Sequence, residues 1–124
     1  MNGGGKLDIN QGTEGDALVL CVEGDIDLSN VSYFIERLYE ASANGDRKIL
    51  LDLTEVEFVD STVINALYGA APRIRQYGGD LAIVVRDSPA ARVLDLAGID
   101  VMYRIAKTRK KALERLDLTP GRTG

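Results

Sequence analysis

The sequence predicts an α/β domain with a small mixed, mostly parallel sheet, an N-terminal antiparallel hairpin strand and flanking helices. Three observations carry that expectation. Almost wholly apolar runs at 17–22, 48–53 and 81–85 alternate with segments of helical periodicity, the pattern of strands buried on both faces and joined by helical crossovers. A turn-punctuated segment with alternating side chains precedes the first run and reads as a paired edge strand. At 124 residues, 45% hydrophobic and 27% charged, the chain amounts to one domain able to bury a core without disulfides.

Taken in order, Leu7-Asp8-Ile9-Asn10-Gln11 alternates, Gly12-Thr13-Glu14-Gly15 punctuates, and Ala17-Leu18-Val19-Leu20-Cys21-Val22 follows as a buried strand, with Cys21 acting as a small core hydrophobe. After Gly24-Asp25-Ile26-Asp27-Leu28, Ser29 or Asn30 can cap a helix. Its apolar positions Val31, Phe34, Ile35, Leu38 and Ala41 keep three- and four-residue spacing, and it ends near Asn44-Gly45. Residues 48–53 make the next strand, and Val56, Phe58 and Val59 lead to a helix starting at Asp60-Ser61 with the stripe Val63, Leu67, Ala70, Ile74, Tyr77. Pro72 removes a backbone donor inside that helix, which predicts a kink without a break. Gly78-Gly79 stops it, 81–85 is a third buried strand, and Ser88-Pro89 opens a helix running through Leu96 to Gly98. Val101-Met102-Tyr103-Arg104-Ile105 reads as a short last strand and 107–116 as a final helix. The domain thus spans 7–117, with 1–6 and 118–124 as flexible termini.

Absences exclude whole classes of chemistry. With no histidine there is no Ser-His-Asp triad, no Cys-His pair and no ordinary zinc site. Neither G-x-G-x-x-G nor G-x-x-x-x-G-K-[ST] occurs, so the usual glycine-rich phosphate cradles are missing. A non-enzymatic protein without metal or cofactor is expected. No run of 18 uncharged apolar residues could span a bilayer, the start lacks the apolar core of a secretory signal, and one cysteine forms no internal disulfide, so a cytoplasmic protein with no membrane partner is expected. The net charge of −4 is unevenly spread: residues 1–60 carry 13 acids and 4 bases (−9), and 61–124 carry 6 acids and 11 bases (+5). The basic residues Arg104, Lys107, Arg109, Lys110, Lys111 and Arg115 read as the solvated face of the last helix, and no direct nucleic-acid contact is expected.

In alternating α/β folds functional groups gather where strands lead into helix N-termini. Two segments qualify, Glu23-Gly24-Asp25-Ile26-Asp27 and Asp60-Ser61-Thr62. The plain reading of the second is an N-cap, worth about 1 kcal/mol. The sharper one treats Ser61 as an exposed hydroxyl at a helix N-terminus, where free N–H groups would stabilise a phosphate of about −1.5 to −2 charges. Asp25, Asp27 and Asp60, if close, would oppose that charge, so modification would change a binding surface without unfolding the domain. The same carboxylates around a magnesium ion would make a small metal- or nucleotide-binding protein, the reading from another class.

The series Val22-Glu23-Gly24-Asp25-Ile26-Asp27, Ile49-Leu50-Leu51-Asp52-Leu53, Val56-Glu57-Phe58-Val59-Asp60-Ser61-Thr62, Gly78-Gly79 and Ser88-Pro89-Ala90-Ala91-Arg92-Val93-Leu94-Asp95-Leu96-Ala97-Gly98 resembles the STAS domain of bacterial anti-sigma-factor antagonists, from about Leu7 to Leu116. The resemblance implies a domain that binds an anti-sigma factor, usually a serine kinase, and thereby frees a sigma factor. Ser61 matches the serine that the kinase phosphorylates to weaken the complex and that a dedicated serine phosphatase restores. Asp27 matches the acidic residue of the Gly-x-x-Asp loop that supports recognition, and Asp60 the Asp before the phosphoserine. Asp25, Asp27, Asp60, Ser61, Thr62 and Ile64 are the implied partner-binding set. Antagonists usually continue with Gly-Leu-Gly, where this chain has Val63-Ile64-Asn65. Stressosome-type STAS proteins also lack those glycines, and a STAS subunit of a transport system shares the fold. The helical period places Val63 inward and Ile64 partly exposed, with Ile64 tuning partner choice.

Overall fold

Five strands lie side by side in the order β1-β2-β3-β4-β5: β1 (Asp8–Glu14), β2 (Ala17–Glu23), β3 (Lys48–Glu55), β4 (Asp80–Val84) and β5 (Arg104–Ala106). The computed structural model describes residues 7–43 and 48–117. The expected helix end at Asn44-Gly45 and the termini 1–6 and 118–124 lie outside the described residues. The β1–β2 pair is antiparallel and every other pair parallel. Helices α1 (Val31–Ala43), α2 (Ser61–Gln76) and α3 (Pro89–Leu96) each occupy one parallel crossover, and α4 (Arg109–Asp117) follows β5. Because the strand order advances one step at a time, crossovers of one hand must all fall on one face of the sheet.

Strand alternation divides the side chains accordingly. Leu18, Leu20, Val22, Ile49, Leu51, Leu53, Leu81 and Ile83 point into the main core with Phe34, Leu38, Val63, Leu67 and Leu94 from α1, α2 and α3. Val19, Leu50, Ala82 and Val84 point the other way, under Ala112 and Leu116 of α4. Full burial of one large aliphatic or Phe side chain contributes about 1.5–3 kcal/mol, so the three-helix face holds most of the stability.

Three local readings are corrected. β1 does not stop at Gln11 but runs through Gly12, Thr13 and Glu14, opposite Val19, Leu18 and Ala17. Of the two glycines there only Gly15 has positive φ (61°) and turns the chain, while Gly12 has open space around it on the sheet edge. The run 101–105 is not one strand. Gly98 (φ 71°) starts a 3₁₀ turn over Ile99–Val101, and the amides of Met102 and Tyr103 both donate to Ile99 O, so Ile99 and Tyr103 bury while Val101 is 86% exposed. Tyr77, the last position of the α2 stripe, is an exposed C-cap beyond which Gly78 and Gly79 donate to Arg75 O and Ile74 O in a Schellman arrangement. Pro72 lies inside α2, which remains one continuous helix.

Cys21 is not a fully buried core residue, and the basic residues 104–115 do not form one solvated helix face. Cys21 is half-buried on the α4 face, where burial and the neighbouring Asp52 push its thiol pKa up. Arg109 is not part of a solvated stripe: its Nε donates to the buried carboxylate of Asp52 at 2.8 Å and its Nη1 lies 3.6 Å from Glu14. Arg104 belongs to β5, its Nε donating to Arg115 O, and Lys107 precedes α4, paired with Asp87.

Candidate functional site

The C-terminal ends of β2 and β3 lead into two loops, 24–30 and 56–60, that are joined by backbone and carboxylate alike. Ile26 and Val59 form an isolated parallel bridge, with Ile26 N–H donating to Phe58 O at 3.1 Å and Asp60 N–H to Ile26 O at 3.3 Å. This extends the β2–β3 pairing past the irregular register between Cys21 and Glu23. Ile26 and Val59 are buried, which leaves their neighbours on the surface.

Each candidate carboxylate has a defined task there. Asp25 Oδ1 accepts from Phe58 N–H at 3.1 Å, across the two loops. Asp27 Oδ1 stays within its own loop, accepting from the amide and the hydroxyl of Ser29 at 2.9 and 2.6 Å. Asp60 is the N-cap of α2: Oδ1 accepts from Thr62 N–H at 3.0 Å and from the Thr62 hydroxyl, while Oδ2 accepts from Leu28 N–H at 3.2 Å. The Thr62 hydroxyl bond, then the amide bonds, hold the Asp60 pKa below its ordinary value. Before α1 the Ser29 hydroxyl donates back to Asp27, the Asn30 side chain accepts from Asp27 N–H and donates to Asp25 O, and the Asn30 carbonyl accepts from Phe34 N–H at 3.2 Å.

Ser61 is the first residue of α2, exposed, and its hydroxyl makes no hydrogen bond among the described residues. The Thr62 hydroxyl, one residue on, is engaged by Asp60. Of the first-turn amides expected to face a phosphate, Thr62 N–H is taken by the Asp60 carboxylate and Val63 N–H by the Asp60 carbonyl at 3.1 Å. A charge added at Ser61 therefore follows a carboxylate that has already used two of the expected donors. Val63 is completely buried, Ile64 half-buried and Asn65 exposed, so Ile64 and Asn65 carry this departure from Gly-Leu-Gly to the surface.

A shallow groove of about 450 Å³ opens beside Ser61, between α2 and α3, with apolar walls from Val59, Ile64, Val93 and Leu96 and polar ones from Asp60, Ser61 and Asn65. Leu96 stands at its rim, 80% exposed, and Leu28 and Phe58 on the adjoining loops are 74% and 54% exposed. The loop-to-helix contact is fixed where Ala90 N–H donates to Glu57 O at 2.9 Å and Tyr68 OH to Ala97 O at 2.6 Å. Sequence reading missed these apolar residues, since a lone surface Leu or Phe is unremarked until its neighbours are known. The one available signal was Leu96, outside the α3 pair Ala90 and Leu94 that enters the core. Among the described residues no group of three or more His, Cys, Asp or Glu could hold a metal ion, in keeping with carboxylate oxygens already committed to amides. No helix among them is long and apolar enough to cross a membrane.

A mixed five-stranded sheet with three crossover helices on one face, presenting a serine at a helix start next to an acidic loop pair, defines a class of small α/β domain. The STAS domain family matches residues 8–112, and the chain belongs to it, alongside anti-sigma factor antagonists. RsfB, an anti-sigma-F factor antagonist of Mycobacterium tuberculosis, is 30% identical over 95 residues, 77% of this chain and 77% of that protein. The structure of an anti-sigma factor antagonist from Mycobacterium paratuberculosis superposes with a TM-score of 0.81 at 20% identity, covering 90% of this chain and 95% of that one. SpoIIAA, also an anti-sigma factor antagonist, shares the fold in its unphosphorylated form (TM-score 0.70, 15% identity, 89% and 96% covered). Its phosphorylated form from Bacillus gives 0.62 at 19% identity, with 88% and 99% covered.

Proposed function

We propose that this chain is a cytoplasmic anti-sigma factor antagonist that binds a serine-kinase anti-sigma factor, frees a sigma factor, and is switched off by phosphorylation of Ser61. A serine phosphatase resets it. The observation that carries this reading is the contrast at the start of α2, where Ser61 offers an exposed, unbonded hydroxyl while the adjacent Thr62 hydroxyl is held by Asp60. The chain is a ligand and a substrate, not a catalyst. Its serine needs no activation of its own, because the kinase partner brings ATP, magnesium and the base. Asp25, Asp27 and Asp60 keep the loop pair in shape for that partner, and Ile64 meets it beside Ser61. Family relatives named as anti-sigma factor antagonists, one of them solved in a phosphorylated form, support the reading.

One feature favours a second reading. Val63 is completely buried where the usual antagonist has glycine, a glycine that stressosome-type STAS proteins also lack, and in that case the same serine would govern assembly with other STAS chains.

The test is incubation of the purified chain with anti-sigma kinases of its own genome, ATP and magnesium, followed by phosphopeptide mapping. One phosphate on Ser61, lost in Ser61→Ala and retained in Thr62→Ala, is the expected result. Modification centred on Thr62, Ser29 or Ser88, or none with any kinase, contradicts it.

A further inference from the structure

We infer that the cleft at the ends of β4 and β5, between α3 and α4, binds a small organic anion: an apolar body carrying one or two negative charges. The inference does not rest on the switch at Ser61. Helix α3 lends Val93, Leu96 and Ala97 to the groove beside that serine, and Ala91, Arg92 and Asp95 to the cleft.

Chain topology puts a crevice there. The chain leaving β2, β3 and β4 enters helices on the main-core face, whereas the chain leaving β5 enters α4 on the other face. Among the described residues β4 and β5 are therefore the one pair of neighbouring strands whose carboxyl ends diverge to opposite faces. Such a divergence opens the space in which open α/β sheets bind their ligands. The cleft at this point has a volume of about 820 Å³, the size of a small-molecule site.

Its lining selects the chemistry. Buried Val85 and Leu94, with half-buried Ala91 and Ile105, give it an apolar base. Around them stand five cations, Arg86, Arg92, Lys107, Lys111 and Arg115, against three carboxylates, Asp87, Asp95 and Asp100. The lining thus sums to +2 on a chain whose net charge is −4. Three of the cations are already engaged: Arg86 donates to Thr54 O and to Glu57, Lys107 pairs with Asp87 at 3.1 Å, and the Arg115 guanidinium donates to Ile105 O. The Arg92 side chain has no partner among the described residues, and Lys111 has Glu114 at 3.8 Å. An anion lying over the apolar base meets the planar fork of Arg92 from α3 and the ammonium of Lys111 from α4. The start of α3 adds nothing to this, since Pro89 has no N–H, Ala91 N–H is held by the Ser88 hydroxyl and Arg92 N–H by the Ser88 carbonyl, both at 3.2 Å. Side chains set the charge of the site, and a surplus of two matches a monoanion or dianion while leaving a polyphosphate undercompensated.

Amide NMR titration of the purified chain with phenyl phosphate and phenylacetate, alongside neutral phenylacetamide and inorganic phosphate, tests the site. At least one of the organic anions should shift amides of 85–95 and 105–115 saturably, with a dissociation constant of about 1 mM or tighter. The tighter of the two identifies the head group as phosphate ester or carboxylate. Phenylacetamide and inorganic phosphate should bind about 10-fold more weakly or worse, each lacking one half of the recognised chemistry. Arg92→Ala and Lys111→Ala, both at exposed positions, should each weaken the tighter anion about 5-fold or more. Lys110→Ala, an exposed cation of α4 outside the cleft, should stay within about 2-fold of wild type, and unchanged spectra elsewhere confirm that each variant is folded. No saturation by about 10 mM of either anion, or equal binding of phenylacetamide, overturns the anion site. Inorganic phosphate that binds as tightly as phenyl phosphate overturns the apolar body. A loss in Lys110→Ala equal to that in Arg92→Ala overturns the cleft in favour of general attraction to a basic helix.

Discussion

At the end of the sheet that carries Ser61 the carboxylates are met by backbone amides, whereas on the α4 face they are met by cations. Asp25, Asp27 and Asp60 accept from Phe58, Ser29, Thr62 and Leu28; Asp52 is paired with Arg109, and Lys48 with Asp16 and Asp117. An amide satisfies a carboxylate without neutralising it. The first region therefore stays strongly acidic while being well ordered, and the second cancels its charge. The same residue type supports a charged binding surface in one place and a docked helix in the other.

The largest effect should come from the buried pair. Asp52 is 6% exposed at its side chain and Arg109 37%, between the limits of a surface and a fully buried ion pair. Asp52→Ala, which leaves Arg109 only its 3.6 Å pairing with Glu14 and removes the acceptor of the Thr54 amide and hydroxyl, should cost about 2–3 kcal/mol in urea unfolding and leave partner affinity unchanged. A loss of comparable size is expected for Val63→Gly, fully buried in the first turn of α2, at about 2–3 kcal/mol from lost burial and helix propensity. If either variant instead lost binding at constant stability, the division between a structural and a binding region would fail.

Asp60→Ala comes next. Loss of the cap and of the bond to Leu28 should cost about 1–2 kcal/mol and loosen the loop pair, with proteolysis in 24–30 as a sensitive readout. The two regions should also share a pH response. Burial raises the Asp52 pKa, but the bonds from Thr54 and Arg109 outweigh it and hold the carboxyl below its ordinary value, and Asp60 is lowered too. A folded-state pKa below the unfolded one gives stability that is present above about pH 4 and lost as pH falls through the lower folded value. Acid unfolding should thus be shallower in Asp52→Asn, which no longer titrates there. The smallest change is expected for Asp27→Asn, below about 1 kcal/mol, because its bonds to Ser29 lie in one exposed turn and the amide oxygen can replace the carboxylate as acceptor. A larger loss would make the Gly24–Asn30 loop a core element.

What could be read in the sequence was what depends on near neighbours. Apolar runs, the Ser88-Pro89 start of α3 and the Gly78-Gly79 stop of α2 are local chemistry, and so is Asp60 before Ser61 as a cap. The extension of β1 through Gly12 was illegible because two glycines look alike until one is found at φ 61°. The 3₁₀ turn at Ile99–Val101 was hidden because a five-residue apolar run fits a strand or a tight helix equally well. Asp52 and Arg109 lie 57 residues apart, and the apolar surroundings of Ser61 assemble from Leu28, Phe58, Ile64 and Leu96 on different elements, so only folding brings them to one place.

The central claim is that a charge at Ser61 changes binding and leaves folding nearly untouched. It is tested most directly by thermal unfolding of the phosphorylated and unphosphorylated chain, each with and without its anti-sigma factor. Alone, the two forms should melt together, within the shift produced by about 0.5 kcal/mol. With the partner present at 100 times the dissociation constant of the unphosphorylated complex, that form should gain about 2.7 kcal/mol and the phosphorylated one almost nothing. Equal stabilisation of both forms by the partner, or a phosphorylated chain that already melts several degrees lower on its own, would contradict the account.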